Sequence, residues 1–440
     1  MTTPIYDFLK AYSASGAVRL HMPGHKGESP LGEITGLDIT EIEGADSLFE
    51  ASGIIAESEQ NASELFGACT YYSTEGSSLA IRAMLHLAVS LKKAQGERPL
   101  ILAGRNAHKV FLSAAALIDF DVEWITGGSS YLSCEITAED ITARLSSCKR
   151  LPAAVYITSP DYLGKMADIR GIAEACHKFG VLLLVDNAHG AYLKFLPESA
   201  HPMDLGADMC AASAHKTLPV LTGGAYLHIS SELPISKRAA KAALSLYGST
   251  SPSYLILASL DLANLHASCL SEAVRLADRA KCKLTSLGYT LTGDEPLKIT
   301  LLTKSYGYLG CELSEILLKH GIYSEFADPD HLVLMLSQST TEEDISRLIL
   351  ALEAIPKREK IDTLPPSISL PEVALTPREA LFSRSEPTQL CHAEGKILSA
   401  PTVGCPPAVP LVVSGEIISS DAIRAMEYYG IKEVITVKSK

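Results

Sequence analysis

Several features that would assign a protein to a membrane, a nucleic acid or a secretory route are missing from this sequence. No apolar run approaches the roughly 18 residues that a membrane-spanning helix needs. The 38 Lys and Arg residues are outnumbered by 51 Asp and Glu residues, and no Lys/Arg-rich run supplies the basic stripe of a nucleic-acid surface. The first 26 residues contain Asp7 and Lys10 and lack the apolar core of a signal peptide. We therefore expect a cytoplasmic protein that binds neither membranes nor nucleic acids.

Cysteine pairs with metal-binding spacing are also missing. The ten cysteines are scattered along the chain, and none of them forms a C-x-x-C pair. A chain of 440 residues can bury a sufficient core without disulfides. We interpret the cysteines as reduced thiols, mostly buried as small apolar side chains, and we predict no metal site.

The composition is that of a large folded protein. Of the 440 residues, 47% are hydrophobic and 20% are charged, which disfavours intrinsic disorder and allows two to three domains.

Short apolar runs alternate with helical segments in the first half of the chain. The runs at 99–103, 153–158 and 181–185 are each typical of a buried strand, and residues 169–179 form a helical pattern that ends at Gly180. Continuous Val/Ile/Leu runs separated by helices indicate βαβ units with a parallel sheet. The sequence therefore predicts a doubly wound α/β fold.

The remainder of the chain has a different pattern. The first thirty residues are expected to be irregular because proline and glycine recur there from Pro4 onward. Residues 255–287 and 344–355 predict long helices, residues 355–370 a linker, and the Pro-rich turn 401–410 is expected to precede two strands around a helix. We predict four parts: an N-terminal arm (1–45), a large α/β domain (46–250), a small middle domain (251–360) and a C-terminal domain (361–440).

The first candidate for a functional residue is Asp186. It ends the apolar run 181–185, and ligands of open α/β sheets bind beyond the carboxyl ends of the strands. A carboxylate in that place requires a cationic or donor partner because it is partly removed from water. The alternative is a carboxylate that only caps the next turn.

The second candidate is Lys216. It lies in the segment 211–218, whose small residues Ala212 and Ser213 let a bulky cofactor approach the backbone. A buried lysine near other cations can act as a nucleophilic amine because its pKa falls. The alternative is a solvated surface lysine.

The third candidate is the hydroxyl-rich and glycine-containing segment 72–78, just before a predicted helix. Free backbone N–H groups, hydroxyls and the positive end of the helix dipole together favour a phosphate. The alternative is a simple N-cap by Ser77 or Ser78.

Taken in chain order, the segment 72–78, Asp186 and Lys216 resemble the fold-type-I pyridoxal-phosphate (PLP) enzymes, and further motifs resemble the Orn/Lys/Arg decarboxylase family. The segment 21–27 reads HMPGHKG, similar to H-x-P-G-H-K-G, and 105–109 reads RNAHK, similar to R-N-x-H-K. Similar matches are SPDYLG at 159–164, DNAHGA at 186–191, SAHK at 213–216, TPREA at 376–380 and CPPAVP at 405–410 with Gly415 and Glu416. The matches extend over nearly the whole chain.

The resemblance implies a fold, a cofactor and roles for individual residues. The fold would be an aspartate-aminotransferase-like large domain with a mostly parallel sheet, followed by smaller α+β domains. Lys216 would hold PLP as a Schiff base, Asp186 would pair with the pyridinium nitrogen, and His108 would lie against the ring. His189 would support Asp186 or the cofactor hydroxyl; the phosphate would be held by Thr74, Gly76, Ser77, Ser213 and His215. For each histidine the alternative is a hydrogen-bonded core residue.

The resemblance also implies a basic amino acid substrate, with arginine ahead of lysine and ornithine, and a homodimer or larger assembly. Glu416 is the candidate carboxylate for the cationic end of the substrate, and its alternative is an ordinary surface glutamate. The sequence departs from the family pattern at Glu75, Asp161, Asn187 and Cys405, which leaves substrate choice open. The short chain, without a receiver-like domain, is typical of members that serve polyamine synthesis.

Two other functions remain open at this point. One is a different PLP reaction, by a β-lyase or an aminotransferase; in an aminotransferase, Arg378 or Arg384 would bind the substrate carboxylate. The other is a non-catalytic paralogue that regulates an active enzyme, which the presence of Lys216 and Asp186 disfavours.

Overall fold

The computed structural model describes residues 2–92, 98–127, 135–266, 270–403 and 409–438. The chain divides into two compact units. Unit 1 comprises Met1–Lys92 and Leu182–Leu270, and unit 2 comprises Lys93–Val181 and Ser271–Lys440. The four predicted domains stay a prediction.

The secondary structure alternates as predicted through the first half of the chain. The α-helices of the described residues are α1 Pro4–Ala14, α2 Ile54–Phe66, α3 Gly76–Lys92, α4 Lys109–Ile118, α5 Ala138–Ser147, α6 Ile169–Lys178, α7 Ala214–Thr217, α8 Lys237–Ser245, α9 Tyr254–His266, α10 Ser271–Ser286, α11 Gly310–Lys319, α12 Glu342–Glu353, α13 Pro377–Phe382 and α14 Ser420–Tyr428. The strands are β1 Cys69–Ser73, β2 Leu100–Gly104, β3 Asp121–Ile125, β4 Ala154–Thr158, β5 Leu182–Asp186, β6 Met209–Ala212, β7 Ala225–Ile229, β8 Leu291–Thr292, β9 Lys298–Leu302, β10 Phe326–Ala327, β11 His331–Met335, β12 Ser385–Gln389 and β13 Glu433–Val437.

The strands of unit 1 run in the order β1-β7-β6-β5. Strands β5 and β6 are parallel, whereas β7 is antiparallel to both β6 and β1. All residues of β5, β6 and β7 are buried, and β5 is the strand that the apolar run 181–185 predicts. Helix α3 packs against β6 and β7, and it covers them with an almost continuous apolar side.

In unit 2, strand β2 lies between β4 and β3 and is parallel to both. The predicted strands at 99–103 and 153–158 are β2 and β4, and the predicted helix at 169–179 is α6. Gly180 follows α6 with a φ of 67°, the left-handed conformation that favours glycine after a helix. The prediction of parallel βαβ elements is confirmed here.

Unit 2 also contains two antiparallel sheets. One has the order β10-β11-β9-β8, and helices α10, α11 and α12 pack in the same region. The other is the pair β12–β13, and helix α14 adds Ala422, Ala425 and Met426 to the apolar cluster of this C-terminal part. The sequence predicts two strands after the Pro-rich turn, but β12 precedes it and, in the described residues, only β13 follows. The Pro-rich residues 404–408 lie outside the described part.

The N-terminal segment is predicted to be irregular, but part of it is helical. Helix α1 begins at Pro4, because proline is tolerated at the first helical position, where its missing N–H has no partner to lose. The N–H groups of Ile5 and Tyr6 instead donate to Asp261 Oδ2, at 3.0 and 3.1 Å. Asp261 lies in α9, so a distant carboxylate supplies the cap that the sequence next to α1 lacks.

The seven described thiols are free, but fewer of these seven are buried than the sequence predicts. Of the seven described cysteines, Cys176 and Cys210 are buried and Cys282, Cys311 and Cys391 are exposed. The other cysteines at 134, 269 and 405 lie outside the described residues. Within the described residues, no helix is both long and apolar enough to cross a membrane.

Two histidines form a buried pair in unit 1. The rings of His201 and His228 meet edge to face with their centroids 5.0 Å apart, and the Phe66 ring contacts both. His201 Nδ1 accepts a hydrogen bond from the N–H of Met203. Burial lowers the pKa of His201 to about 3 and the pKa of His228 well below its usual value. Both rings are therefore neutral in the folded protein.

The buried His201–His228 pair predicts that the folded protein loses stability in acid. Below pH 6.5 the unfolded chain binds a proton at residue 201, whereas the folded chain does so only near pH 3, so the folded state loses stability as the pH falls through this window. Between pH 6.5 and pH 5, the titration of residue 201 lowers the free energy of unfolding by about 2 kcal/mol. His201→Asn keeps the acceptor for Met203 and removes the titrating ring.

We expect the fall in Tm between pH 7.5 and pH 5 to be smaller in His201→Asn than in the parent, by differential scanning calorimetry. The exposed His320, replaced by Asn, is the matched control and should leave the pH dependence unchanged. An equal fall in all three proteins would show that His201 does not set the acid sensitivity.

Candidate active site

The parallel pairing of β5 and β6 brings two candidate segments to one edge of the sheet. Asp186, the last residue of β5, lies opposite Ala211 of β6, and the N–H of Asn187 donates to Ala211 O at 2.9 Å. The chain then leaves β6 and enters the short helix α7, which contains Lys216. Unit 1 therefore places the ends of both strands, and the residues that follow them, at the same edge of the sheet.

Asp186 is a buried carboxylate, with only 1% of its surface exposed. Its Oδ1 accepts a hydrogen bond from the N–H of Ala188 at 3.2 Å, so the turn-capping alternative describes part of its role. Burial and the Asp186 charge raise the pKa of the neighbouring Cys210 thiol well above its usual value, which keeps that thiol neutral.

Lys216 contacts a second candidate, His189. The distance from Lys216 Nζ to His189 Nε2 is 3.1 Å, and His189 is buried. A hydrogen bond at this distance requires one nitrogen to carry the proton that the other accepts, so the pair can pass a proton between an amine and an imidazole. This contact distinguishes Lys216 from the solvated surface lysine of the alternative.

The predicted phosphate cradle lies at the start of α3. The helix begins at Gly76, which has a φ of 72° and open space where a Cβ atom would project. Ser213 Oγ donates to Ser77 Oγ at 2.8 Å, which links the cradle to the segment that carries Lys216. Thr74 O lies only 2.7 Å from the position that a Cβ atom on Gly223 would take, so this close approach of two backbones requires glycine.

Glu75, a departure from the family pattern, does not place its charge on the cradle. It is exposed, and its Oε1 accepts a hydrogen bond from the N–H of Ser249. Its carboxylate is therefore occupied by a backbone donor of unit 1.

His215 is oriented by the backbone. Its Nδ1 lies 2.9 Å from Gly224 O, and a carbonyl oxygen can only accept, so Nδ1 carries the proton. His215 Nε2 can consequently donate to an anion only when the ring is protonated.

Three observations in unit 1 fit a phosphorylated aldehyde cofactor such as PLP. The start of α3 offers a helix dipole, hydroxyls and open space to a phosphate. Lys216 offers an amine beside a proton-exchanging group. Next to it, the buried Thr217 Oγ1 has no hydrogen-bond partner among the described residues, which leaves a hydroxyl for a ligand.

His108 belongs to unit 2 and lies in an unexpected setting. Its Nδ1 accepts a hydrogen bond from the N–H of Val110, which makes it the N-cap of α4, and its ring is exposed. The core-histidine alternative is therefore wrong. In the neutral ring the proton is on Nε2, because Nδ1 is the acceptor.

Glu416 is neither a surface residue nor available to a substrate in this structure. Arg105 Nη1 and Nη2 donate to its two carboxylate oxygens at 2.7 and 2.8 Å, and the N–H of Val413 donates to Oε2. Arg105 and Glu416 are 0% and 1% exposed. The assignment of Glu416 to the substrate cation therefore does not fit, because a substrate would have to displace a buried, bidentate guanidinium.

In the sequence, Arg105 is recognisable only as the first residue of the RNAHK motif, which does not indicate its role. One feature of the sequence does indicate a buried ion pair, because an arginine directly after the buried strand β2 needs a counter-charge. Removing one member of such a pair costs about 3–5 kcal/mol, because it leaves the other charge buried and uncompensated. Sequence alone could not show which of the many carboxylates pairs with it.

Two further residues from the sequence analysis have local structural contacts. Asp161 Oδ1 accepts hydrogen bonds from the N–H groups of Leu163 and Lys165 and so closes a turn. Arg378 donates to Ala116 O near the end of α4.

One acidic group could offer oxygen and nitrogen ligands to a metal, although the sequence predicts no metal site. The ligand atoms of Asp328, Asp330 and His331 lie within 4.8 Å of one another. Asp328 Oδ1 accepts from the N–H groups of the other two residues, and Asp330 pairs with Lys304 at 2.8 Å. These contacts account for the group as a turn and an ion pair.

Comparisons with known proteins give the family. Residues 3–285 match the family model of the Orn/Lys/Arg decarboxylase major domain. The arginine decarboxylase of Bacillus subtilis (strain 168) is 31% identical over 96% of this chain and 92% of its own length. The arginine decarboxylase of Halalkalibacterium halodurans is 30% identical over 95% of this chain and 91% of its own length.

Solved structures give the fold. The lysine decarboxylase LdcF of Francisella novicida superposes with a TM-score of 0.81 at 18% identity, over 99% of this chain and 81% of that chain. An SPT structure with PLP superposes with a TM-score of 0.56 at 15% identity, over 70% of this chain and 79% of that chain. These similarities confirm the predicted fold of the fold-type-I PLP enzymes.

The match to the family model covers more than half of the chain, and the relatives align over nearly its full length. The chain therefore belongs to the Orn/Lys/Arg decarboxylase family, a family of PLP-dependent amino acid decarboxylases.

Proposed function

We propose that this protein binds PLP and decarboxylates a basic L-amino acid, arginine in preference to lysine or ornithine, to the corresponding amine and CO₂. The observation that carries the proposal is the Lys216–His189 contact at the edge of the sheet that also bears the buried Asp186. The preference for arginine is supported by relatives that carry the name arginine decarboxylase and align with nearly the whole chain.

Each candidate residue has a proposed task toward the cofactor. Lys216 would hold it covalently, and Asp186 would keep its ring nitrogen protonated. Thr74, Gly76, Ser77, Ser213 and His215 would hold the phosphate at the start of α3. When bound, PLP accepts the electron pair released as the bond between Cα and the carboxylate breaks.

Proton movement falls to the chain's own side chains. His189 Nε2, 3.1 Å from Lys216 Nζ, can take a proton from the amine or return it. Lys216 or a site histidine then supplies the proton that Cα needs after CO₂ leaves. His108 is assigned to the cofactor ring on the basis of its place in the RNAHK motif.

We also propose a cytoplasmic homodimer or larger assembly that serves polyamine synthesis. The described cysteines are free thiols, as suits a reducing compartment. Large apolar side chains near the N-terminus are exposed in the single chain, among them Val18, Leu20 and Leu31, and a second copy would cover such a surface.

The first test is CO₂ release from a panel of amino acids by PLP-loaded protein, with the amine products identified by mass. We expect agmatine from arginine at a higher kcat/KM than cadaverine from lysine or putrescine from ornithine. A loaded protein that releases no CO₂ from any of the three would contradict the proposed reaction and favour a β-lyase or an aminotransferase. A protein that does not load PLP would favour the regulatory paralogue.

The second test concerns the covalent attachment. Lys216→Arg keeps the positive charge but cannot bond to the cofactor aldehyde, so borohydride reduction should leave no pyridoxyl adduct on the peptide that contains residue 216. Because an essential amine is lost, we expect activity to fall by at least about a hundredfold. Lys237→Arg, at an exposed lysine of the same unit, is the control and should trap the cofactor as the parent does. A trapped adduct in Lys216→Arg would refute the assignment.

The third test separates the two roles of His108. His108→Asn retains a side-chain acceptor for the N–H of Val110 and so keeps the helix cap, but it removes the ring. His108→Phe keeps a flat ring and removes the cap. If the ring contacts the cofactor, we expect His108→Phe to keep a higher kcat than His108→Asn although its Tm is lower. The opposite order of kcat would assign His108 to helix capping alone.

A further inference from the structure

The buried pair formed by Arg105 and Glu416 lies at one end of the turn that carries His108. Arg105 follows β2 directly, and its N–H donates to Ile125 O of β3. The N–H of Ala107 then donates to Gly104 O, which closes the turn three residues after the strand. His108 is the next residue, so only Asn106 and Ala107 separate it from Arg105.

Trp124 contacts one residue before His108 and one residue after it. The guanidinium carbon of Arg105 lies 4.8 Å from the centre of the Trp124 ring, at the distance of a cation–π contact. Phe111, in the first turn of α4, packs on the same indole with ring centroids 5.8 Å apart. The residues on both sides of His108 therefore rest on one side chain of β3.

Glu416 fixes the guanidinium of Arg105 against the Trp124 ring. Its two oxygens hold both terminal nitrogens of Arg105, and Leu411 O accepts a further hydrogen bond from Nη2. A bidentate pair sets the orientation of the guanidinium plane, which a single contact does not. The backbone of Glu416 is itself held in place, because its N–H donates to Val413 O and its carbonyl oxygen accepts from the N–H of Leu398.

We propose that Glu416 and Arg105 are positioning residues for catalysis: the C-terminal segment, through this pair, holds the 105–108 turn so that His108 is presented in one orientation. This inference rests on the proposed function, because the task of His108 depends on it. It replaces the substrate-binding role for Glu416 with an indirect one. A small displacement of a catalytic group lowers turnover strongly, whereas it leaves substrate binding elsewhere little changed.

The first test is the kinetics of Glu416→Gln and Arg105→Lys, in PLP-loaded protein. Both variants lose the bidentate, charge-paired geometry. We expect kcat to fall by about tenfold or more while KM stays within about twofold and cofactor loading is unchanged, since the residues assigned to the cofactor other than His108 belong to unit 1. Unchanged kcat in folded variants would overturn the proposal, and a rise in KM alone would return Glu416 to the substrate.

Trp124 supplies a second readout that does not depend on activity. It is the only tryptophan of the chain, so the intrinsic tryptophan fluorescence reports on this contact alone. We expect acrylamide to quench Trp124 more strongly in Glu416→Gln than in the parent, because the guanidinium no longer covers the indole in a fixed position. Quenching equal to that of the parent, together with reduced kcat, would show that the loss of activity has another cause.

A matched control separates positioning from general destabilisation. Asp330 pairs with Lys304 and accepts a hydrogen bond from Tyr428 of α14, so Asp330→Asn weakens a different ion pair of the same unit. We expect it to lower Tm and to leave both kcat and Trp124 quenching as in the parent. An equal loss of kcat in this control would assign the effect of Glu416 to stability.

A double-mutant cycle decides whether the pair acts through His108. If it does, adding Glu416→Gln to His108→Asn should cause no further loss of kcat, with the amine product counted by mass over long incubations. The same fold loss in both backgrounds would overturn the proposal. Should Glu416→Gln fail to fold, Arg105→Met/Glu416→Leu removes both buried charges, and full activity of that double variant would overturn it as well.

The outcomes distinguish this inference from the proposed function. A parent protein that releases no CO₂ defeats the proposed function, and the inference with it. An active parent whose kcat does not respond to Glu416→Gln defeats the inference alone.

Discussion

The parallel register of β5 on β6 is the constraint on which the active-site chemistry of unit 1 depends. Because Asp186 lies opposite Ala211, a buried carboxylate ends one strand at the level where the neighbouring strand leads into the Lys216 helix. A slip of this register would change which residues lie at the edge of the sheet. The Ser77–Ser213 hydrogen bond then connects the same edge to the start of α3. The carboxylate of Asp186, the amine of Lys216 and the candidate phosphate cradle are in this way brought together within one compact unit.

Unit 2 contains a full positive charge in its interior. Arg105 is fully buried, and its desolvation is offset by two carboxylate oxygens, a carbonyl oxygen and the face of an indole. The result joins a loop after β2 to a segment more than 300 residues later in the chain. Such a pair adds little net stability compared with apolar packing, but it fixes an orientation, and the proposed catalytic role of His108 depends on the orientation of this loop.

The relatives of this chain identify its fold and its family, whereas the side-chain geometry identifies the contacts of individual residues. Solved structures below 25% identity establish the fold, and the sequence relatives establish the family. Neither assigns the side chains that contact the substrate cation of this chain. The burial of Glu416 and its pairing with Arg105 occupy the carboxylate that the motif resemblance suggests for the cationic end of the substrate.

The sequence by itself determined the class of fold, the strands at the centre of each unit and the candidate segments. Apolar runs such as 181–185 can only be buried, and Asp186, Lys216 and the 72–78 cluster follow from their position at strand and helix ends. Contacts between residues far apart in the chain were decided only by the tertiary structure. The helix at the N-terminus is not visible in the local sequence, because the carboxylate that caps α1 is Asp261 of α9. The burial of Glu416 is not visible either, because its partner Arg105 is 311 positions away. The physical reason is that burial cost is a property of a residue, visible locally, whereas the partner that offsets it is chosen by the packing of the whole chain.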